Sequence, residues 1–431
     1  MLLSWFDIRK QLAAATKSFT QYPDGIINIQ CFSDAIDVDY SNAESARQWF
    51  KQHFKQQWNE QENEISFNIA STNLPVIFTQ TQDSPHKHHI RPLWQDVGYI
   101  KQGDTFNIEF KDANKDDPEL IAFYSFKGGV GRTTSLLTYM AALIESHRKS
   151  AKSGEKIKLL LVDADLEAPG ITYLLPSTGR ADVSWIQFME SMQYPVSSPD
   201  EVTDFYATEL RKVSIEKPGV ELFVLPAFSG SSEQGMSQIA DVQVKPEHLT
   251  RSTDLPWNCT DIILNLAQKL GATHTFIDLR AGLSELSSPV LFDPRVERFV
   301  VTTMSEQAIC GTEYVLAKMS AMNSNEAIKS TDFDETKQPR VITTFLTKEF
   351  KDSPAHKDNI SRLICAYSGI IDDETNLMDI IEGEFSTQLL HINTLDDYLT
   401  IIERHSPLYN SALSWAENKD DIKTSDTVID T

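Results

Sequence analysis

The amino-acid sequence predicts an α/β fold in which a doubly wound, mostly parallel sheet follows a smaller N-terminal α+β domain. Three observations predict it. A glycine-rich turn at residues 128–131 lies between an apolar run and a helical pattern, and two later apolar runs end in Asp163 and Asp278. Strands that alternate with helices favour a parallel sheet, and acids at the strand ends mark the edge where such sheets bind ligands.

The glycine-rich turn has the neighbours that a phosphate-binding loop requires. Ile121–Ser125 predicts a short buried strand and Thr133–Ile144 predicts a helix. The apolar side of that helix consists of Leu136, Leu137, Met140 and Leu143. Free N–H groups and the positive end of the helix dipole converge on an anion at such a junction. An ordinary glycine turn is the alternative, and the two acidic motifs that follow argue against it.

The turn is similar to the pattern G-x-x-x-x-G-K-[ST], in which lysine contacts the β- and γ-phosphates and a hydroxyl contacts Mg²⁺. Its residues are Lys127, Gly128, Gly129, Val130, Gly131, Arg132, Thr133 and Thr134. Glycines let the backbone approach a phosphate closely and adopt positive φ without a steric penalty. Arg132 stands in the place of the lysine, Thr133 is the candidate Mg²⁺ hydroxyl, and Lys127 is a second cation before the glycines.

Two acidic motifs follow the turn along the chain. Lys158–Gly170 begins as a buried strand, carries Asp163 and Asp165 at the end of it, and then turns. Thr275–Ser284 is again a strand that ends in an acid, Asp278. A single acid at a strand end is usually a cap or a solvated turn. Three acids behind a glycine loop instead predict a nucleotide–Mg²⁺ site, because Mg²⁺ prefers oxygen ligands and keeps several waters.

These motifs resemble those of the MinD/ParA family of dimerising ATPases, over about residues 118–415. Lys127–Thr134 resembles the family's deviant phosphate loop K-G-G-x-G-K-T-[ST], in a variant that carries arginine. Asp163–Gly170 resembles its switch I, and Ile277–Ser284 resembles its Walker B strand and switch II. Val300–Glu306 is similar to the family's strand that ends in T-P-E.

The resemblance implies a role for each residue of the loop. Lys127 matches the signature lysine, which in the family reaches across an ATP-sandwich dimer to the phosphates bound by the other subunit. Arg132 stands where a lysine contacts the β- and γ-phosphates in cis. The backbone of residues 128–131 would hold the phosphates, Thr133 matches the Mg²⁺ ligand, and Thr134 would contact the α-phosphate.

The resemblance also implies roles for the acids and for the cofactors. Asp165 matches the switch I aspartate that positions the attacking water, and Asp163 would support the metal shell. Asp278 matches the Walker B acid that holds Mg²⁺ through water. ATP and Mg²⁺ are therefore the expected cofactors, and a nucleotide-dependent homodimer is the expected assembly.

Three positions differ from the family pattern. Arg280 stands where proline is usual, and Val341–Thr347 lacks the asparagine that commonly contacts adenine, so ATP over GTP is taken from the resemblance alone. The third is Arg132, whose planar guanidinium binds phosphate in a bidentate way, whereas lysine is a compact charge. We expect slower hydrolysis from that exchange rather than its loss, because phosphoryl transfer depends mostly on positioning and charge stabilisation.

Composition predicts a cytoplasmic globular protein. Four cysteines are scattered without C-x-x-C spacing, which argues against zinc and iron–sulfur sites and for reduced thiols. No apolar run approaches the roughly 18 residues that a membrane span needs. Met1–Lys10 lacks the basic and apolar regions of a signal peptide and predicts a helix instead.

Net charge argues against the DNA-bound and membrane-bound branches of the family. The formal charge is −23, and nonspecific DNA binding needs Lys and Arg to neutralise phosphates. Lys149–Lys158 contains several cations but is interpreted as a solvated connection. Membrane binding through a C-terminal basic amphipathic helix is not expected either, because residues 419–431 form an acidic, polar tail.

The N-terminal region, residues 1–115, is predicted to be an α+β adaptor domain that binds a partner. Ser41–Glu44 fits a capping box at the start of a helix, and Phe50, Phe54 and Trp58 then share one face. Glu64–Ala70 and Val76–Gln80 predict strands. The aromatic face is interpreted as core and His86–His89 as a solvated loop, because no further ligands stand at metal-binding spacing.

Residues 116–418 are predicted to be the ATPase domain. Between its acidic motifs, residues 179–269 exceed what a simple crossover needs. Val220–Phe228 predicts a further strand, and Ser229–Gly235 is interpreted as a flexible loop near the nucleotide face. Such an insertion is a natural place for recognition of a partner, because loops carry function on a rigid scaffold.

Together the motifs predict a Mg²⁺-dependent ATPase that acts as a nucleotide-driven dimerisation switch and controls an unidentified protein partner. A role in bacterial antiphage defence is a hypothesis by analogy with arginine variants of this family. The alternative is a non-hydrolysing nucleotide-sensing scaffold, which Arg132 and Arg280 favour. A bacterial tyrosine kinase would need a tyrosine-rich tail, where only Tyr398 and Tyr409 occur, and a metal-cluster carrier would need paired cysteines.

Overall fold

The computed structural model of the protein describes residues 2, 4–16, 21–32, 34–68, 73–81, 94, 114, 117–150, 155–193, 198–240, 257–323, 338–368, 378–384, 392–405 and 407–426. The chain divides into two compact units. One consists of Met1–Lys101 with Ser252–Asp254, and the other of Gln102–Arg251 with Leu255–Thr431. The boundary predicted between residues 115 and 116 stays a prediction, because most residues around it lie outside the described ranges.

The first unit contains a small mixed sheet. Its strands are β1 (Ile26–Cys31), β2 (Ile36–Tyr40), β3 (Trp58–Asn59), β4 (Glu64–Ser66) and β5 (Asn73–Gln80). Their order in the sheet is β1-β2-β5-β4-β3, with β2 and β5 parallel and the other neighbours antiparallel. The sheet and the helices α1 (Trp5–Ala15) and α2 (Ala43–Phe54) share one apolar core.

The aromatic face predicted in this unit is core, as expected. Phe50, Phe54 and Trp58 are all buried in it, although Trp58 lies on β3 after the helix has ended. The predicted capping box is wrong. The helix begins at Ala43, and the side chain of Asn42 accepts the hydrogen bond from the Ser45 N–H at 3.1 Å. His86–His89 lies outside the described residues.

The second unit contains a large, mostly parallel sheet, which confirms the predicted fold class. Its strands are β6 (Glu119–Tyr124), β7 (Ile157–Ala164), β8 (Ile215–Lys217), β9 (Val220–Leu225), β10 (His274–Leu279), β11 (Val296–Thr302), β12 (Arg340–Leu346) and β13 (Ile380–Glu384). Their order is β13-β12-β11-β6-β10-β7-β9-β8, and among the described strands only β8 and β9 pair antiparallel.

The strand order shows how the sheet is wound. From β6 the chain moves outward to β7 and β9, returns to insert β10 between β6 and β7, and then continues on the other side of β6 with β11, β12 and β13. The direction of winding therefore reverses next to β6. Open α/β sheets bind ligands at the carboxyl ends of their strands at such a reversal.

Helices lie between these strands and after the last of them. They are α3 (Arg132–Ser150), α4 (Gly170–Leu174), α5 (Trp185–Gln193), α6 (Pro199–Lys212), α7 (Ser232–Ala240), α8 (Asn258–Leu270), α9 (Ser288–Phe292), α10 (Glu306–Asn323), α11 (Lys348–Lys351), α12 (Pro354–Ser368), α13 (Leu395–His405) and α14 (Pro407–Asp426). Short 3₁₀ turns lie at Lys55–Gln57 and Ser177–Gly179. Among the described residues, no helix is both long and apolar enough to cross a membrane.

The helix after the glycine loop is more buried than the sequence predicts. Helix α3 begins one residue earlier than expected and extends to Ser150, and every side chain from Ser135 to Ile144 is buried. Helix α3 packs against β6, β10 and β11, and also against α13 through Leu395 and Tyr398 and against α14 through Tyr409, Ala412 and Ala416. The sequence of α3 could not show this, because the covering helices lie more than 240 residues later.

One loop prediction is corrected by the structure, and part of the predicted polar tail is described. Ser229–Gly235 was expected to be a flexible loop, but its second half begins α7, in which Gly235 packs against the ring of Phe228. The polar tail predicted from residue 419 is helical as far as Asp426 within α14. In the first case tertiary packing overrides a polar composition, whereas the acidic polar tail stays a prediction.

Candidate nucleotide-binding site

The glycine loop leaves β6 and ends at the first residue of α3, which confirms the predicted strand–turn–helix arrangement. Gly129 and Gly131 have φ of 71° and 84°, a region that residues with a Cβ rarely adopt. A Cβ added at Gly128 or Gly129 would meet nothing within 4 Å, so this face of the loop is open. The loop can therefore present its backbone N–H groups to an anion at the start of the helix.

Neighbouring strands fix the loop in place. The hydroxyl of Thr344, on β12, donates to the carbonyl of Val130 at 2.6 Å. On the other side, the N–H of Gly282 donates to the carbonyl of Ser125 at 3.1 Å, and the hydroxyl of Tyr124 donates to the carbonyl of Gly282 at 2.9 Å. The loop and the segment after β10 are thus joined directly by hydrogen bonds.

Strand register brings the predicted acids to the loop. Asp278 on β10 is paired with Phe123 on β6 and with Asp163 on β7. Asp165 follows one residue after the end of β7. All three acids therefore lie at the carboxyl ends of adjacent parallel strands, as predicted, and all three are buried.

Arg132 lies in the centre of this group rather than facing solvent. Its side chain is only 7% exposed. Nη2 forms an ion pair with Oδ2 of Asp165 at 2.5 Å, Nε donates to Oδ1 of Asp278, and Nη1 lies 3.4 Å from Oγ of Ser125. One planar guanidinium therefore bridges two carboxylates that come from two different strands.

The pKa values in this group follow from burial and mutual charge. Burial alone lowers the pKa of Arg132, but the carboxylates of Asp278 and Asp165 more than offset it and hold the pKa above its ordinary value. Burial raises the pKa of Asp278, and Arg132 works against that rise. Arg132 is therefore a permanent cation, as arginine is in proteins generally.

Asp163 has different partners. Its Oδ2 accepts two hydrogen bonds at 2.7 Å, one from the N–H and one from the hydroxyl of Thr172 on α4. Burial, followed by the charge of Asp278, raises the pKa of Asp163 to about 7. The hydroxyl of Thr172 also accepts from the N–H of Ala227 at 2.8 Å. In this structure Asp163 thus connects β7 to the start of α4, and its predicted support of a metal shell stays a prediction.

Thr133 and Asp278 offer hard oxygen ligands side by side. The hydroxyl of Thr133 donates to Oδ2 of Asp278 at 2.5 Å. Among the described residues, no group of three His, Cys, Asp or Glu could hold a metal ion. One hydroxyl and one carboxylate fit a Mg²⁺ ion that arrives with a nucleotide, because Mg²⁺ at such sites takes one or two carboxylates, waters and phosphate oxygens.

The segment after β7 packs closely over Thr133. A Cβ added at Gly170 would lie 2.6 Å from Oγ1 of Thr133, so only glycine fits there. Asp165 also stabilises this segment, because its Oδ1 accepts hydrogen bonds from the N–H groups of Glu167 and Ala168 at 3.1 Å each. Residues 165–170, which are part of the predicted switch I (Asp163–Gly170), are therefore tied to the loop by an ion pair and by contact.

The two cations outside the acidic group have different surroundings. Lys127 is half-buried at the start of the loop, and no ion pair or hydrogen bond in the described part of the chain involves its side chain. Arg280, after β10, forms an ion pair with Glu167 at 3.2 Å. The position where the family usually has proline thus connects the predicted switch II to switch I.

The structure also shows residues that the sequence analysis missed. Phe126 stands where the general loop pattern has its first glycine, and its ring fills the space beside Gly311. Phe345 adopts φ of 60° at an irregularity in the β12–β13 register and is 47% exposed, and its ring would lie 3.6 Å from a Cβ at Gly131. The only sequence signal for Phe126 is that it departs from the glycine of the loop pattern, and nothing local predicts the conformation of Phe345.

Comparisons with known proteins find similarity at the level of structure. No family model matches the sequence, and no curated protein matches it either. A ParA family ATPase from Chlorobium tepidum TLS is 15% identical, with 70% of this chain and 98% of that chain covered, at a TM-score of 0.42. A chain of the MinC:MinD cell division protein complex of Aquifex aeolicus is 15% identical, with 70% of this chain and 96% of that chain covered, at a TM-score of 0.39.

A third similar structure is the septum site-determining protein MinD of Pyrococcus horikoshii OT3 in complex with Mg-ADP. It is 16% identical, with 71% of this chain and 97% of that chain covered, at a TM-score of 0.37. Identity this low concerns the fold alone, so the chemical assignment depends on the geometry described above. The resemblance to MinD/ParA-type ATPases thus rests on the motifs of the chain, and these solved structures are similar to it at low identity.

Proposed function

We propose that this chain is a Mg²⁺-dependent ATPase that works as a nucleotide-driven dimerisation switch. One observation supports it above the others: a glycine loop at a helix start, Thr133, Asp165 and Asp278 meet at the carboxyl ends of adjacent strands, where the winding of the sheet reverses. Backbone N–H groups that can bind phosphate thus lie beside hard oxygen ligands that can bind Mg²⁺. Phosphoryl transfer requires this combination, because it depends mostly on positioning and charge stabilisation.

Each residue has a definite task in this proposal. The N–H groups of residues 128–134 and the positive end of α3 bind the phosphates. Arg132 supplies positive charge to them, and Thr133 with Asp278 holds Mg²⁺, which neutralises charge on the phosphate oxygens when bound. Asp165 lies 2.5 Å from Arg132 and orients the attacking water.

Lys127 carries the dimerisation part of the proposal. It is charged, partly exposed and beside the phosphate loop, and its side chain has no ion pair among the described residues. A cation in that situation can reach phosphates bound by a second copy of the chain. ATP together with Mg²⁺ would then order residues 165–170 and 280–284 in a new arrangement, and hydrolysis would release them to change binding of a protein partner. Control of an antiphage effector is the specific hypothesis, by analogy alone.

The enzymatic part is tested by phosphate release from ATP with Mg²⁺. We expect slow turnover by the natural chain and at least a tenfold loss in Asp165→Ala, because the water would no longer be oriented. Exposed Asp182→Ala is the matched control and should keep turnover. Turnover no higher than that of Asp165→Ala would exclude hydrolysis.

The dimerisation part is tested by light scattering with and without ATP. We expect Lys127→Ala to remain monomeric with ATP and to lose turnover, whereas Lys156→Ala, an exposed lysine at the opposite end of β7, behaves as the natural chain does. If Lys127→Ala still dimerises and hydrolyses ATP normally, the dimer model is wrong.

A non-hydrolysing nucleotide sensor is the second candidate. The bridging of Asp165 and Asp278 by Arg132 favours it, because both acids are then engaged in an ion pair instead of in catalysis. The two candidates differ in one outcome. A sensor binds ATP and changes its oligomeric state while releasing no phosphate, at any concentration of partner.

A further inference from the structure

Arg132 makes contacts that reach beyond its own loop. Its ion pair with Asp165 joins residues 33 apart in the chain, and its bond to Asp278 joins residues 146 apart. These are the two acids that the proposed function assigns to the water and to the metal. The cation thus occupies the carboxylate oxygens on which that function depends.

The contact extends into the backbone of the predicted switch I. One oxygen of Asp165 is bound by Arg132, and its other oxygen accepts the N–H groups of Glu167 and Ala168. Gly170 then lies against Thr133. Arg132 therefore holds residues 165–170 through Asp165, next to the hydroxyl that would bind Mg²⁺.

Charge balance shows what this arrangement does to a divalent cation. Asp165 and Asp278 together carry two negative charges when ionised, a combination that attracts Mg²⁺. Arg132 removes one of those charges and occupies an oxygen of each acid. A triphosphate is a stronger attraction for the guanidinium, because phosphate oxygens carry more charge and accept bidentate hydrogen bonds.

We propose that Arg132 is an internal counter-ion that excludes divalent metal from the nucleotide-free site and releases both acids when phosphates bind. This inference rests on the proposed nucleotide site. In the nucleotide-free chain Arg132 neutralises Asp165 and Asp278 and keeps residues 165–170 closed over Thr133. Phosphates on the loop draw the guanidinium toward them, which frees Asp278 for the metal and Asp165, with its segment, to move. Metal therefore enters only with nucleotide.

A lysine at this position would not do the same. Its single ammonium on a flexible stem cannot bridge two carboxylates through separate nitrogens as a planar guanidinium does. The arginine thus couples nucleotide binding to the segment after β7 more strongly than lysine would. This gives a role to the residue by which the loop differs from the lysine pattern.

The test is Mn²⁺ binding without nucleotide, followed by electron paramagnetic resonance, because Mn²⁺ reports on Mg²⁺ sites. We expect the natural chain to bind at least tenfold more weakly than Arg132→Met, with Arg132→Lys in between. Arg211→Met, which removes an exposed arginine elsewhere, should bind as weakly as the natural chain. Equal Mn²⁺ affinity in the natural chain and in Arg132→Met would overturn the proposal.

Hydrogen exchange provides a second readout in case Arg132→Met does not fold. ATP added with a chelator should raise exchange of residues 165–172 in the natural chain, and Arg132→Lys should show raised exchange there before ATP is added. Unchanged exchange in both would also overturn the proposal. If the natural chain binds no ATP at all, the proposed function fails, whereas the Mn²⁺ comparison still decides on the counter-ion.

Discussion

Two buried arginines of the second unit have the same kind of partners but different surroundings. Arg132 is paired with Asp165 and Asp278, and Arg295 with Asp293 and Asp261. Both side chains are 7% exposed, and the paired acids hold both arginine pKa values above the ordinary value against the effect of burial. Composition and burial therefore do not distinguish the two groups.

The positions of the two arginine groups in the chain distinguish them. Asp293 stands two residues before Arg295 and accepts bonds from its backbone N–H at 3.0 Å and from Nη2 at 2.6 Å, immediately before β11 begins. Arg132 instead joins segments distant in sequence, at the carboxyl ends of β7 and β10. A local group at the amino end of a strand fixes the chain path, whereas a distant group at the ligand edge can respond to a ligand.

The largest effect on stability is expected at the Arg295 group. Arg295→Met leaves Asp293, which is fully buried, without its cation, and this should lower the free energy of unfolding by about 3–5 kcal/mol. Urea denaturation measures it. Divalent metal should not restore the stability, and the folded fraction should still bind ATP.

Exposed Arg211→Met is the control and should cost about 1 kcal/mol or less. If Arg295→Met lowered stability as little as this control, Asp293 would not need Arg295 as its cation. The Arg295 group would then not fix the path of the chain.

An intermediate effect is expected beside the Arg132 group. Thr172→Val removes the hydroxyl that donates to Asp163 and accepts from Ala227, and both partners are buried. Unpaired buried polar groups should lower stability by about 1–3 kcal/mol. Thr172→Ser keeps the hydroxyl and should recover most of the loss in the same denaturation experiment.

A Thr172→Val protein as stable as the natural chain would show that Asp163 does not need the Thr172 hydroxyl, because the backbone N–H of Thr172 still donates to it.

The smallest effect is expected at the exposed pair between the two predicted switches. Glu167→Gln removes the charge that pairs with Arg280, and both side chains are substantially exposed. Stability should change by less than about 1 kcal/mol, as for most surface ion pairs. Hydrogen exchange of residues 165–170 should stay close to that of the natural chain, because Arg132 still holds Asp165. A large rise in exchange would show that Arg280, and not Arg132, holds residues 165–170 over Thr133.

Much of the fold and the order of the site could be predicted from local patterns. Apolar runs that end in acids identified β7 and β10, and the glycine turn identified the start of α3, because strand burial and glycine conformation are local properties. The same reasoning failed where polar composition misled, as at Ser229–Gly235, whose second half is helical. It also missed Phe345, since a strand irregularity depends on the neighbouring strand.

The sequence by itself determined which side chains are present: a glycine-rich loop, a threonine hydroxyl, three acids at strand ends and an arginine where the loop pattern has lysine. Only the tertiary structure decided that this arginine binds the acids, because its partners are brought next to it by sheet register from 33 and 146 residues away. It also decided that Asp163 pairs with Thr172 while Asp165 pairs with Arg132. Residue type sets the charge of a side chain, and packing sets the partner that neutralises it.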